Sequence, residues 1–144
     1  MILLDTNVLI DGFDSSARLH EWASNLIRNG LLGEGVAINP MILAELCVGD
    51  LVPDTVALRL ETLGVVILDL PAAASTRCAQ AYAAYLENRR KQPTPEAPKT
   101  PLPDFFIGAH ASFLCLPIAT ADISRYHTYF PEVTLLTPPD LGPS

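Results

Sequence analysis

The chain has 144 residues, 49% of them hydrophobic and 17% charged, which supports one packed domain, is short for two, and argues against disorder along the whole chain. Sixteen acidic residues against nine basic ones leave a formal charge of −7. That balance argues against affinity for nucleic acid drawn from a broad basic stripe, and fits either an acidic active site or a basic partner.

Residues 2–4 are a short apolar run that ends at Asp5, Thr6 and Asn7. The pattern predicts a buried strand whose carboxyl end delivers those polar groups. Ser15 or Ser16 then caps a helix carrying Leu19, Trp22, Ala23, Leu26 and Ile27 at helical spacing, with Gly30 closing it. Trp22, Leu26 and Ile27 form a stripe that reads first as core and second as a subunit or partner interface. Val36, Ala37 and Ile38 read as a second strand. Asn39 and Pro40 start a short helix, MILAELCVG, by the rule of a cap followed by proline. Pro53 and Asp54 open another, with Val56, Leu60 and Leu63 on one face and Gly64 at its end. Residues 65–68 form a β-branched strand, and residues 71–91 the longest helix.

The composition changes at residues 92–103, which hold Pro93, Pro95, Pro98, Pro101 and Pro103. This much proline predicts a semi-extended surface loop. Helix resumes at Asp104, whose carboxylate caps a segment reaching about Leu116. Residues 117–120 form a strand, Asp122 opens a turn or short helix, and residues 133–136 are the last strand. Short apolar strands alternating with helices imply a parallel sheet with helices on both faces. The expectation is one three-layer α/β domain spanning residues 1–144, without internal repeats.

The apolar N-terminus lacks a basic leader and is interrupted early by Asp5 and Asn7, so no signal peptide is expected. No uncharged stretch reaches the length of a membrane span. Cys47, Cys78 and Cys115 are odd in number and widely spaced, with no CxxC pair, and read as buried free thiols in a reducing cytoplasm. His20, His110 and His127 make no zinc spacing with them. A cytoplasmic protein with no membrane association is expected.

Open α/β sheets gather ligands outside the carboxyl ends of their strands. Asp5 directly follows the first strand, and Asp122 nearly follows the fourth. Glu45 lies about two turns into the helix after the second strand, and Asp104 opens the helix before the fourth. Four acids can therefore meet at one edge of the sheet. Such a cluster cannot stay ionised at close range without positive charge, and Mg²⁺ or Mn²⁺ with oxygen ligands answers that need. An all-carboxylate metal site suits hydrolysis of a phosphodiester. Read singly, Asp104 and Asp122 read first as plain N-caps or turn formers. Glu45 inside the apolar run MILAELCV is harder to read as bland, since an uncompensated charge there is costly. Taken together, the four read as a site.

These residues resemble a known family. The segment Asp5-Thr6-Asn7-Val8-Leu9 is similar to the opening motif of PIN domains, in particular the VapC-type toxin ribonucleases. Ala44-Glu45-Leu46 with Gly49 resembles their second acidic motif. The run from Asp104 through Phe105, Phe106, Ile107, Gly108, Ala109 and His110 to Ala111 resembles the third. Thr120-Ala121-Asp122, followed by Tyr126, Phe130 and Pro131, resembles the fourth. The motifs span nearly the whole chain in the right order and are specific as a set. The resemblance implies a parallel sheet between helix layers, with Asp5, Glu45, Asp104 and Asp122 catalytic and holding Mg²⁺ or Mn²⁺. Thr6, Asn7 and Thr120 would support the acids, with Thr120 orienting a carboxylate or a water. It further implies an endoribonuclease toxin of a type II toxin–antitoxin pair, a homodimer held inactive by a cognate antitoxin that inserts a basic side chain among the acids. The proline-rich stretch before Asp104 is longer than the family pattern.

Arg89, Arg90 and Lys91, with Lys99, are the only basic concentration. They read equally as a solvated helix end suited to the macrodipole and, for Arg89 and Arg90, as an RNA contact shared across a dimer groove. Tyr82, Tyr85 and Tyr126 read first as amphipathic helix residues and second as rings on which bases could stack. Two other functions compete. An aspartate-nucleophile phosphatase would want an acid two residues after Asp5, where Asn7 stands. A non-catalytic PIN-like binding module would keep its acids too far apart for metal.

Overall fold

The first apolar run forms β1 (Ile2–Leu4) at the centre of a five-stranded sheet in the computed structural model, which describes residues 1–93 and 99–139. β2 (Val36–Ile38) and β3 (Val66–Ile67) extend from it on one side. β4 (Ile118–Ala119) and β5 (Leu135–Leu136) extend on the other, and every neighbouring pair is parallel. The chain thus winds outward from β1 in one direction and returns to its far side at β4. A crevice is expected where the winding reverses, outside the carboxyl ends of β1 and β4. Leu3 pairs with Ile118 and Leu4 with Ala119, so Asp5 and Thr120 emerge side by side.

Seven helices join these strands among the described residues: α1 (Thr6–Gly12), α2 (His20–Leu32), α3 (Pro40–Val48), α4 (Val56–Leu63), α5 (Ser75–Arg90), α6 (Leu102–Leu114) and α7 (Ile123–His127). The result is the expected three-layer α/β/α arrangement. Its core is continuous: Leu3, Leu4, Val8, Ile38, Ile107 and Ile118 are all shut off from solvent. Each such side chain contributes roughly 1.5–3 kcal/mol by burial.

Several boundaries follow local chemistry. Asn39 caps α3, its side-chain oxygen accepting the Ile42 N–H at 3.0 Å, with Pro40 at the first helical position. Gly64 ends α4 as expected.

Elsewhere the structure corrects the sequence reading. Residues 6–12 form a helix that the polar trio concealed, and Asp5 caps it by accepting the Thr6 N–H at 2.9 Å. Ser15 and Ser16 do not cap α2: Leu19 precedes it without a side-chain cap, and Ser16 hydrogen-bonds Asp14 instead. Gly30 does not close α2, which runs on to Gly33. It is a contact point, since a Cβ there would overlap Val36 of β2.

α6 starts at Leu102, with Pro103 inside its first turn, where a missing N–H costs nothing. Asp104 therefore lies within that turn and is not its cap, and the helix ends at Leu114. The third, fourth and fifth strands are shorter than expected. Of the cysteines only Cys78 is buried; Cys47 is half-buried and Cys115 exposed, all three free. Residues 94–98 of the expected loop and 140–144 of the expected domain lie outside the described residues.

Candidate active site

Asp5 is fully buried at the switch point, and its two oxygens are held differently. Oδ2 accepts three side-chain donors: the Thr120 hydroxyl at 2.9 Å, the Tyr126 phenol at 3.0 Å and the Asn7 amide at 3.2 Å. Oδ1 accepts the Thr6 N–H and faces the guanidinium of Arg125, whose Nη1 is 3.8 Å away. A buried carboxylate without donors would be costly, and here α1, the end of β4 and α7 supply them.

Thr120 links this acid to the next. Its Oγ1 donates to Asp5 and accepts the Asp122 N–H at 2.9 Å, with the Asn7 amide at 3.4 Å. Asn7 also accepts the Ala121 N–H through Oδ1 at 3.1 Å. Asn7 and Thr120 thereby clasp the end of β4 to the start of α1. Asp122 caps α7, with Oδ1 accepting the Ser124 hydroxyl at 2.9 Å and the Arg125 N–H at 3.4 Å. Its Oδ2 lies 3.6 Å from Arg125 Nε. Asp122 is thus a helix cap and a member of the acid cluster at once.

Glu45 and Asp104 approach from α3 and α6. Glu45 is solvent-exposed, and Ile42 is the one fully buried residue of α3, so the apolar run around Glu45 does not bury its charge as the sequence implied. Partial desolvation nevertheless raises the Glu45 pKa; the nearby Thr6 hydroxyl opposes the rise, while Asp104 and Asp5 add to it. That hydroxyl is buried and has no partner of ordinary hydrogen-bond geometry. Asp104, half-buried, acts electrostatically on both Glu45 and Arg125. The four acids predicted from the sequence therefore share one electrostatic neighbourhood.

The donors are all oxygen, carboxylates with the hydroxyls of Thr6 and Thr120 nearby, which fits a hard divalent cation such as Mg²⁺ or Mn²⁺. Among the described residues, no three carboxyl, imidazole or thiol groups form a finished metal cage. The positive charge among these acids is Arg125. Neither Arg125 nor Tyr126 was assigned a role from the sequence. Asp122 and Arg125 are spaced like an ordinary helical ion pair, and a buried phenol reads as core.

The weaker candidates separate as well. Arg90 is exposed at the end of α5 and pairs with Glu87 at 3.3 Å. Arg89 is half-buried, close enough to Tyr85 to act on it electrostatically. Tyr85 and Tyr126 are buried, and Tyr82 packs edge-on against Phe105, which places all three rings in the protein's own packing. Ile27 is core, and Trp22 and Leu26 pack against it half-buried.

The PIN-domain family model matches residues 2–130. The chain belongs to the PIN-domain family. Among solved structures, this PIN domain is similar to FitAcB from Neisseria gonorrhoeae, with 25% identity, a TM-score of 0.69, and coverage of 98% of this chain and 100% of that one. A toxin–antitoxin complex from Klebsiella pneumoniae matches at 21% identity and a TM-score of 0.61, covering 95% and 97% of the two chains. Mycobacterium tuberculosis VapC20, described as a toxin cleaving the sarcin–ricin loop, matches at 16% and 0.58, covering 86% and 93%. No curated protein sequence matches the chain. Membership of the PIN-domain family displaces the phosphatase reading. Among the described residues, no helix of this PIN domain is long and apolar enough to cross a membrane.

Proposed function

We propose that this PIN domain is a metal-dependent endoribonuclease, the toxin of a type II toxin–antitoxin pair, with Asp5, Glu45, Asp104 and Asp122 directing Mg²⁺ or Mn²⁺ chemistry at an RNA phosphodiester. The observation that carries this reading is the buried Asp5, held at the switch point by Thr120, Tyr126 and Asn7, with Asp122 tied to it through the Thr120 hydroxyl. When bound, a divalent ion supplies charge neutralisation at the phosphate and makes water more acidic.

The chain's own residues do the positioning. Thr120, Tyr126 and Asn7 occupy Asp5 Oδ2 and leave Oδ1 to the Thr6 N–H and the Arg125 guanidinium. Partial desolvation raises the pKa of Glu45, which suits it to take up a proton. Arg89 and Arg90 supply phosphate contacts that a chain of net charge −7 otherwise has few of.

The partner is a cognate antitoxin. A groove of about 490 Å³ beside Glu45 is lined by Leu9, Ile10, Phe13, Leu46, Leu60 and Leu63, and Ile10, Phe13 and Leu63 are more than half exposed. An apolar antitoxin segment laid there can bring a basic side chain to Glu45. The protein works as a cytoplasmic homodimer, and the exposed Val48, Leu51 and Leu58 leave apolar surface for association.

The test is cleavage of structured RNA by protein freed of any partner. Cleavage is expected with Mg²⁺ or Mn²⁺, and is lost with EDTA and in Asp5→Asn. Cleavage that survives both changes would overturn the reading. Mn²⁺ uptake without cleavage of any RNA would favour a binding module.

A further inference from the structure

We propose that Arg125 is the internal counter-ion of this site: its guanidinium neutralises the carboxylates of the ion-free protein and must swing away from them when a divalent cation binds. The inference rests on the metal reading above and adds a competitor built into the same chain.

The geometry is that of a cation shared between two acids, with the Tyr126 phenol also beside it. Nη1 lies 3.8 Å from Asp5 Oδ1, and Nε lies 3.6 Å from Asp122 Oδ2. Both separations are longer than the 2.7–2.9 Å or so of a strong charge-assisted hydrogen bond. The guanidinium therefore sits between two acids without the forked, two-bond grip that would lock it to either. Its charge also acts on Glu45 and is felt by Asp104, so all four acids share it.

Asp5 does not depend on Arg125 for its orientation. Thr120, Tyr126, Asn7 and the Thr6 N–H already satisfy both of its oxygens. The guanidinium supplies charge, and charge is what an incoming cation would replace. There is also room to move. The side chain keeps 27% of its exposure and borders a cavity of about 230 Å³ lined by Tyr85, Thr100, Phe105, Asp122, Ser124 and Tyr129. Rotation into that space would carry the guanidinium away from Asp5 while α7 stays in place.

A divalent ion and a guanidinium within roughly 5 Å of each other repel strongly even near water, enough to weaken ion binding by about tenfold or more. Calorimetry of Mn²⁺ binding to the full chain and to Arg125→Gln measures this directly. The expected result is at least about tenfold tighter binding by the variant. The second measurement uses the native protein, so it stands even where Arg125→Gln fails to fold. The Nε–Hε resonance of Arg125, followed by NMR while Mg²⁺ is added, is expected to shift and to saturate with the ion. Equal or weaker Mn²⁺ affinity in a folded Arg125→Gln overturns the inference, as does an Nε–Hε signal unmoved at saturating Mg²⁺, and both outcomes leave the metal reading intact. Absence of binding by native protein and variant alike defeats the metal reading, and the inference with it.

Discussion

The phenol of Tyr126 donates a 3.0 Å hydrogen bond to Oδ2 of Asp5, and both residues are closed off from solvent. Burial, and then the neighbouring Asp5 charge, push the phenol well above its ordinary pKa, so it remains a donor throughout the working pH range. Tyr126 is a positioning residue on this account. Tyr126→Phe removes one of three donors to Oδ2 and is expected to cost about 1–2 kcal/mol in urea unfolding. Because partners of ligand carboxylates tune metal sites, Mn²⁺ affinity should fall roughly 10- to 100-fold. A purely structural role would lower stability and leave that affinity unchanged.

Gly108 marks a second dependence, between α6 and the segment after α7. A Cβ at Gly108 would overlap the ring of Phe130, which is fully buried and lies beneath the Arg77 guanidinium, 4.7 Å from ring centroid to Cζ. The ring is held from above and cannot easily retreat. Gly108→Ala is expected to destabilise by roughly 2–3 kcal/mol through overpacking, against about 1 kcal/mol gained in helix propensity. Thermal or urea unfolding checks the sign, and a neutral or stabilised variant would show that Phe130 moves aside freely.

Glu132 sets an acid limit on stability. Hydrogen bonds from Arg77, at 2.8 and 2.9 Å, chiefly lower its pKa from 4.5 to about 2, and the Ser112 hydroxyl at 2.7 Å assists. A depressed folded pKa contributes stability that is fully present above the unfolded value, here 4.5, and is lost as pH falls toward 2. The pair is partly exposed, so solvent screening limits its worth to about 1 kcal/mol. Glu132→Gln should flatten that part of the stability profile while changing little at pH 7 beyond this amount. An unchanged acid limb would assign the loss to other carboxylates.

Much of this architecture was legible because local rules and tertiary structure agreed. The run at residues 36–38 is wholly buried as β2, and Asn39 with Pro40 starts α3 as the pairing predicts. Asp5 and Asp122 were placed correctly at the strand ends because the winding of an α/β sheet fixes where such residues emerge. The misreadings have physical reasons. Gly30 looks like a helix end, but it serves the close approach of Val36, which only the folded chain reveals. Pro103 looks like a loop residue, yet the first turn of α6 tolerates it. Glu45 lies in an apolar run, but its helix buries only Ile42. Arg125 and Tyr126 escaped because their meaning depends on Asp5, which is more than a hundred residues away in sequence.

The most direct test of the central claim, that Asp5 and Asp122 belong to one metal site, is Mn²⁺ calorimetry on the native chain, Asp5→Asn and Asp122→Asn, each shown to be folded. The account predicts saturable binding by the native protein that weakens beyond detection in both variants. Binding indifferent to both substitutions, or lost in neither, would contradict it and leave a PIN fold whose acids serve a partner instead of an ion.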